Sequence, residues 1–278
     1  MDEIKTSDIS AENRAEILNI IENFRLMDDT FMSKVFEDKA CAELLLRVIL
    51  NRDDLTVVRV VSQFELKNLQ GRSARLDIYA VDEHGKQYDI EVQRSDDGAA
   101  PRRARYNSSL LDANLLNPGD KFNELPESYI IFITEHDVLK SGKPLYTVNR
   151  TISELDHAIF TDGSHIIYVN GEIRNGTALG ELMQDFFCKD PREMHYKVLS
   201  DRAGYFKKDK EGVDTMCKLV EDYGEKRARQ AAELASNERA VRMANNLWNK
   251  GERDLQQIAD LTDLPLDEVK KLFEGKTA

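Results

Sequence analysis

The first fifty residues carry apolar positions at helical spacing. Ser10 is placed to cap a helix in which Arg14, Ile17, Ile20 and Ile21 begin the repeat. Ala40, Leu44, Leu45, Val48 and Ile49 predict a second helix near residues 40–50. The pattern then changes period. Thr56 to Leu66 is rich in Val and Phe, and Ser73 to Asp82 alternates, with Leu76, Ile78 and Ala80 on one side and Asp77 and Tyr79 on the other. Glu83-His84-Gly85 is a turn signal, and Gln87 to Arg94 alternates again, Ile90 and Val92 against Asp89, Glu91 and Gln93.

Pro101 to about Asn117 reads as a helix that Pro118-Gly119 ends. Ser128 to Thr134 is almost continuously apolar, as a strand covered on both faces should be. Leu145 to Arg150 and His165 to Val169 are shorter strand candidates, and Ala178 to Phe187 a helix. After about Pro191 the chain is polar and helical, with Glu221 to Asn249 dense in Glu, Lys, Arg and Ala. Leu255 to Leu272 has the spacing of a helix-turn-helix, Asp263 taking the turn where glycine is common, and Trp248 is expected to pack beneath it. The division this suggests is a domain over 1–190, a helical connector over 191–250 and a helix-turn-helix-like unit over 251–278.

With 278 residues, 41% hydrophobic and 32% charged, the chain can build one α/β core with an appended helical piece. No run approaches the length of a membrane span, and Met-Asp-Glu-Ile-Lys does not open a secretory signal. Cys41, Cys188 and Cys217 match neither a disulfide framework nor a metal motif, which suits reduced, packed thiols in a cytoplasm. The five histidines have no ligand spacing, and there is no phosphate loop, nucleophile elbow or zinc helix. The net charge of −12 sits awkwardly with binding phosphate, so any nucleic-acid contact must come from a local basic strip.

Chemistry concentrates on the hairpin. With its turn near His84, Asp82 falls opposite Lys86 and Asp77 opposite Glu91, and Gln93 leaves the same face as Glu91. Two carboxylates side by side repel, and a divalent cation between them removes the repulsion. The alternative is a solvated face, where acids are ordinary. Arg94, Arg102, Arg103 and Arg105, with Tyr106 beside them, form the clearest basic cluster. It reads either as a phosphate-backbone contact or as a helix face paired with Asp96 and Asp97.

The Arg75-Leu76-Asp77-Ile78 run followed by Asp89-Ile90-Glu91-Val92-Gln93 resembles the core motif of the PD-(D/E)XK nucleases, in particular the transposase-associated, recombination-promoting nucleases. Asp29 to Phe36, Leu44 to Asn51, Arg102 to Leu111 and Tyr129 to Thr134 are similar to that family's flanking segments, so the resemblance covers about residues 25 to 190. It implies a restriction-endonuclease-like core, a mixed central sheet flanked by helices, with a C-terminal helical extension. It implies a metal-dependent DNA endonuclease acting in DNA recombination. Asp77 and Glu91 would hold Mg2+, with Mn2+ as a substitute and the Val92 carbonyl as a further ligand, and Gln93 would orient water. Gln93 stands where the superfamily has lysine, so more of the electrostatic work falls to the metal. Glu43 is a candidate extra acid. A homodimer is the simplest way to cut two strands. The competing expectation is a catalytically weak relative that binds DNA or protein.

Overall fold

The computed structural model describes residues 3–68 and 71–274; the remaining positions, which include the outer ends of the expected domains, lie outside it. Contacts divide the chain into two units, Met1–Cys217 and Lys218–Ala278.

The first unit opens with helices α1 (Glu3–Asn23), α2 (Asp29–Val35) and α3 (Lys39–Leu50). α1 begins ahead of Ser10. Asp38 caps α3 by accepting the backbone N–H groups of Ala40 and Cys41 at 2.8 and 3.3 Å. Asn51, left-handed at φ 51°, ends it. Strands β1 (Val57–Leu66), β2 (Ala74–Asp82) and β3 (Gln87–Gln93) follow, then α4 (Pro101–Leu115) and β4 (Ser128–Thr134). Next come β5 (Leu145–Val148), β6 (Thr151–Ile152), β7 (Ala158–Ile159), β8 (Ser164–Asn170), α5 (Ala178–Phe187) and α6 (Lys197–Lys208). The small β6–β7 ribbon went unpredicted because two-residue strands on the surface carry no periodic signal.

Six strands form one mixed sheet in the order β1-β2-β3-β4-β8-β5. β3, β4 and β8 run parallel; β1, β2 and β5 pair antiparallel with their neighbours. Both faces are covered. On one, Ala104, Leu110 and Leu111 of α4 pack with Tyr79, Ile130, Phe132 and Tyr168. The alternate residues Ile131, Ile133, Ile167 and Val169 are buried as well. α2 and α3 lie against β1 and β2, and α5 and α6 pack on α3.

α6 belongs to this unit. Phe206 meets Phe31 edge-on at 6.4 Å, and Cys41 Sγ lies 3.7 Å from the Val198 carbonyl. By contacts the first unit continues to Cys217. Cys41 and Cys217 are buried.

The strand alternation slips once. Leu76, expected beside Ile78, joins the α4-side cluster with Tyr79, and Ile78 stays outside it. On β1, Phe64 stacks on Tyr79 at 4.5 Å although Val61 is Tyr79's partner in register. In both strands an interval of three residues now shares a face. The cause lies at Gln63, left-handed at φ 53°, between the pairs Ser62–Ile78 and Phe64–Leu76 and so opposite Asp77 by count. A non-glycine residue there is strained by about 1–3 kcal/mol, and conformations of this kind cluster at functional sites.

The second unit contains most of the long helix α7 (Lys210–Asn249), α8 (Leu255–Thr262) and α9 (Leu266–Phe273). Ala244, Trp248, Ile258, Ala259, Leu264, Val269 and Phe273 form its core, with Trp248 stacked on Phe273 at 4.3 Å. Asp254 caps α8, and Asp263 takes the turn at φ 57°.

A β-branched side chain is especially unfavourable at positive φ. Gln63→Val should therefore lower stability by about 1–2 kcal/mol in denaturant unfolding, while Gln63→Gly should lose none.

Candidate active site

The hairpin that carries the acids is tied at its turn. Asp82 accepts the N–H groups of His84 and Lys86, both at 2.9 Å, and the Tyr88 hydroxyl at 2.9 Å. From there the register runs Val81–Gln87, Ala80–Tyr88, Tyr79–Asp89 and Ile78–Ile90. One step further would set Asp77 against Glu91, as the pattern requires. At that step the two strands part. The Asp77 carboxylate instead accepts the backbone N–H of Val92 at 3.1 Å, next to Glu91.

Backbone direction matters here. A residue's N–H and C=O leave a strand on the same side, and the side alternates along the chain. Gln93 turns its carbonyl to the N–H of Glu135, just beyond β4. Val92 turns its N–H the other way, to Asp77. The Val92 carbonyl therefore opens toward the gap that Asp77 occupies.

Neither acid lies on a solvated face. Glu91 and Asp89 are 0% exposed and Asp77 is 7% exposed, because α4 covers this side of the sheet. Arg103, near the start of α4, donates from Nη2 to Glu91 Oε2 at 2.5 Å and from Nη1 to the Gly98 carbonyl at 2.9 Å. Gln93 Nε2 donates to the same Glu91 oxygen at 3.1 Å, and its Oε1 lies 3.3 Å from Arg103 Nη1. The turn Asp96–Ala99 presses on Gln93, and a Cβ added to Gly98 would fall 2.0 Å from Gln93 Oε1. Below them Asn107 donates to Asp89 Oδ2 at 3.2 Å.

Burial decides the electrostatics. It pushes the Asp77 carboxyl up to about 8, and the charges of Glu91 and Asp29 add to it; the Val92 N–H and Arg103 oppose it. Asp89 is raised well above the usual carboxylate range by burial, then by Glu91 and Asp77. Glu91 is raised by burial against the pull of Arg103. Glu91 Oε1 and Asp89 Oδ1 are buried with no hydrogen-bond partner. Orphaned buried oxygens are uncommon and expensive, and a proton on the raised Asp89 carboxyl lets it donate to Glu91.

Asp89 and Asp29 were not singled out by spacing. Asp89 was legible as the residue two before Glu91 on the same face, but its burial was not. Asp29, the first residue of α2, reaches the acids only through the fold. Glu43 is engaged elsewhere: it accepts the Val57 N–H at 2.9 Å and pairs with Arg47 at 2.9 Å, at the turn end of β1.

The basic cluster separates. Arg94 pairs with Asp28 at 2.9 Å and Glu135 at 3.2 Å. Arg102 and Arg105 are exposed on α4. The Tyr106 hydroxyl bonds to the Arg72 carbonyl and accepts from Asn68. The alternative pairing of this helix with Asp96 and Asp97 does not describe Arg103, whose acidic partner is Glu91.

Comparison with protein families matches residues 36–259 to the PD-(D/E)XK nuclease family transposases. The chain belongs to that family. The match contains Asp77, Glu91 and Gln93. It begins after most of the Asp29–Phe36 segment and extends past 190 into the C-terminal helices, further than the motifs alone indicated. No significant match was found among curated proteins or solved structures.

PD-(D/E)XK nucleases generally use divalent metal ions, and the donor set suits one. Among the described residues no three His, Cys, Asp or Glu side chains gather to hold an ion by themselves. Two carboxylates, the Val92 carbonyl and water would make an oxygen shell of the kind a hard cation takes. Glu91 Oε1 is the atom such a shell would use.

The raised Asp77 carboxyl has a consequence for stability. Its contribution is fully present below the ordinary value of 3.8 and is lost as pH rises through about 8. Asp77→Asn keeps an acceptor for the Val92 N–H and removes the charge. Without metal it should raise the unfolding temperature at pH 8, by on the order of 3 kcal/mol of stability, and the gap should close by about pH 4. Equal melting at pH 8 would contradict the assignment.

Proposed function

We propose that this protein is a metal-dependent endonuclease that hydrolyses phosphodiester bonds in DNA. One observation carries the reading: two buried acids from neighbouring strands converge where those strands part, beside the backbone of Val92. Asp77 and Glu91 would hold Mg2+, or Mn2+ in its place, with the Val92 carbonyl between them. When bound, such an ion lowers the pKa of water and offsets charge on the phosphate.

Gln93 positions the attacking water. Its amide is held by Glu91 on one side and Arg103 on the other, so a neutral group has a defined orientation. Exposed Arg102 and Arg105 contact the DNA backbone from the same helix, which places the substrate despite a net charge of −12. A second copy of the chain would supply the second cut. Three widely spaced cysteines with no disulfide framework in their spacing fit a reducing cytoplasm. No helix among the described residues is long and apolar enough to cross a membrane.

The alternative is a relative that binds DNA without cutting it. The Arg103–Glu91 ion pair favours that reading, since it already occupies one acid of the site.

Supercoiled plasmid with Mg2+ separates the two. Nicking that stops with EDTA and falls at least ~100-fold in Asp77→Ala supports the nuclease. Tight binding without nicking supports the alternative. Gly98→Ala probes Gln93 separately. The new methyl must push the amide aside, so cleavage should drop by about 10–100-fold while the fold is retained.

A further inference from the structure

Gln93 carries no charge, yet a permanent positive charge rests on its amide. Arg103 reaches it from the next helix, and its guanidinium forks between Gln93 Oε1 at 3.3 Å and Glu91 Oε2 at 2.5 Å. The arginine side chain is 39% exposed, whereas Glu91 is fully buried. A buried carboxylate with no counter-charge is strongly destabilising, so a site built this way needs a cation at rest. A divalent ion and a guanidinium make the same demand on Glu91, for the lone pairs of one carboxylate.

We propose that Arg103 is the resting counter-cation of the site and competes with the divalent ion for Glu91. When Glu91 engages the ion, the guanidinium stays anchored at the Gly98 carbonyl and turns to the phosphate, supplying the charge that Gln93 cannot. Arg103 is therefore set apart from Arg102 and Arg105, which have no such contact with the acids. The proposal rests on the nuclease reading above, and its decisive measurement needs no DNA.

Mn2+ binding to the DNA-free protein is measured by calorimetry at pH 8 for the wild type, Arg103→Gln, Arg103→Lys and Arg102→Gln. The last makes the same charge change on an exposed residue of the same helix. Arg103→Gln should bind Mn2+ about tenfold tighter than the wild type, Arg103→Lys should fall between, and Arg102→Gln should stay within about twofold, because surface charge is screened. At saturating Mn2+, Arg103→Gln should nick plasmid at least ~100-fold more slowly, with partial activity in Arg103→Lys.

An affinity of Arg103→Gln equal to or below the wild type overturns the competition, as does an equal gain in Arg102→Gln. If Arg103→Gln does not fold, Arg103→Lys is held to the same criterion. Tighter Mn2+ binding with a wild type that cuts no DNA would sink the nuclease reading and leave the competition standing. Cutting without any affinity gain would do the reverse.

Discussion

Three carboxylates, Asp77, Asp89 and Glu91, are buried on one hairpin, and the guanidinium of Arg103 faces them from α4. The rest of the site is arranged around that imbalance. Burial weakens the hydration that would normally keep each acid ionised; the Glu91 charge raises Asp77 and Asp89 further, while Arg103 and a hydrogen bond from Asp89 pull Glu91 back down. Asp77 and Asp89 are pushed toward their neutral forms, and the charge of Arg103 is matched to Glu91, its ion-pair partner.

The sheet makes this arrangement possible. β3 sits between an antiparallel partner and a parallel one, so both of its edges are occupied and both of its faces are covered. Its side chains cannot move to water. Where β2 leaves β3, the backbone N–H of Val92 would be stranded, and the Asp77 carboxylate takes it. The left-handed Gln63 on β1 accompanies the same break, slipping the alternation by one so that Asp77 stands between a residue of the α4 face and a residue outside it. The departure from regular strand geometry thus coincides with the point where the buried acids meet. Gly98 belongs to the same design: lacking a Cβ, it lets the turn before α4 close on Gln93 and bring Arg103 over Glu91.

Membership of the PD-(D/E)XK nuclease family transposases gives the hairpin a context, and the fold of this chain shows how its charges are arranged. An arginine from the following helix meets the glutamine where the superfamily has lysine. A point charge carried on the strand and a fork carried on a helix differ physically, since the fork can hold two acceptors at once and is always protonated. The C-terminal unit is a separate matter. Its stacked Trp248 and Phe273 explain its stability as a small helical body and say nothing about what it binds.

Period and turn chemistry were enough to read the hairpin from the residues alone. Two alternating runs around Glu83-His84-Gly85 determine which residues meet, and a one-residue slip would have turned every apolar side chain to the wrong face. The meeting of Asp77, Glu91 and Gln93 was therefore legible, as were the apolar β4 and the Trp248 packing. Burial of the acids, the slip at Leu76, the approach of Asp29 and the capture of Arg103 by Glu91 were decided only in three dimensions. Each depends on segments distant along the chain arriving at one place. An alternating acid reads the same whether water or α4 covers it, and an arginine cluster reads the same whether it meets phosphate or carboxylate. Local pattern sets the direction in which a side chain leaves the backbone; only the packed fold decides what it finds there.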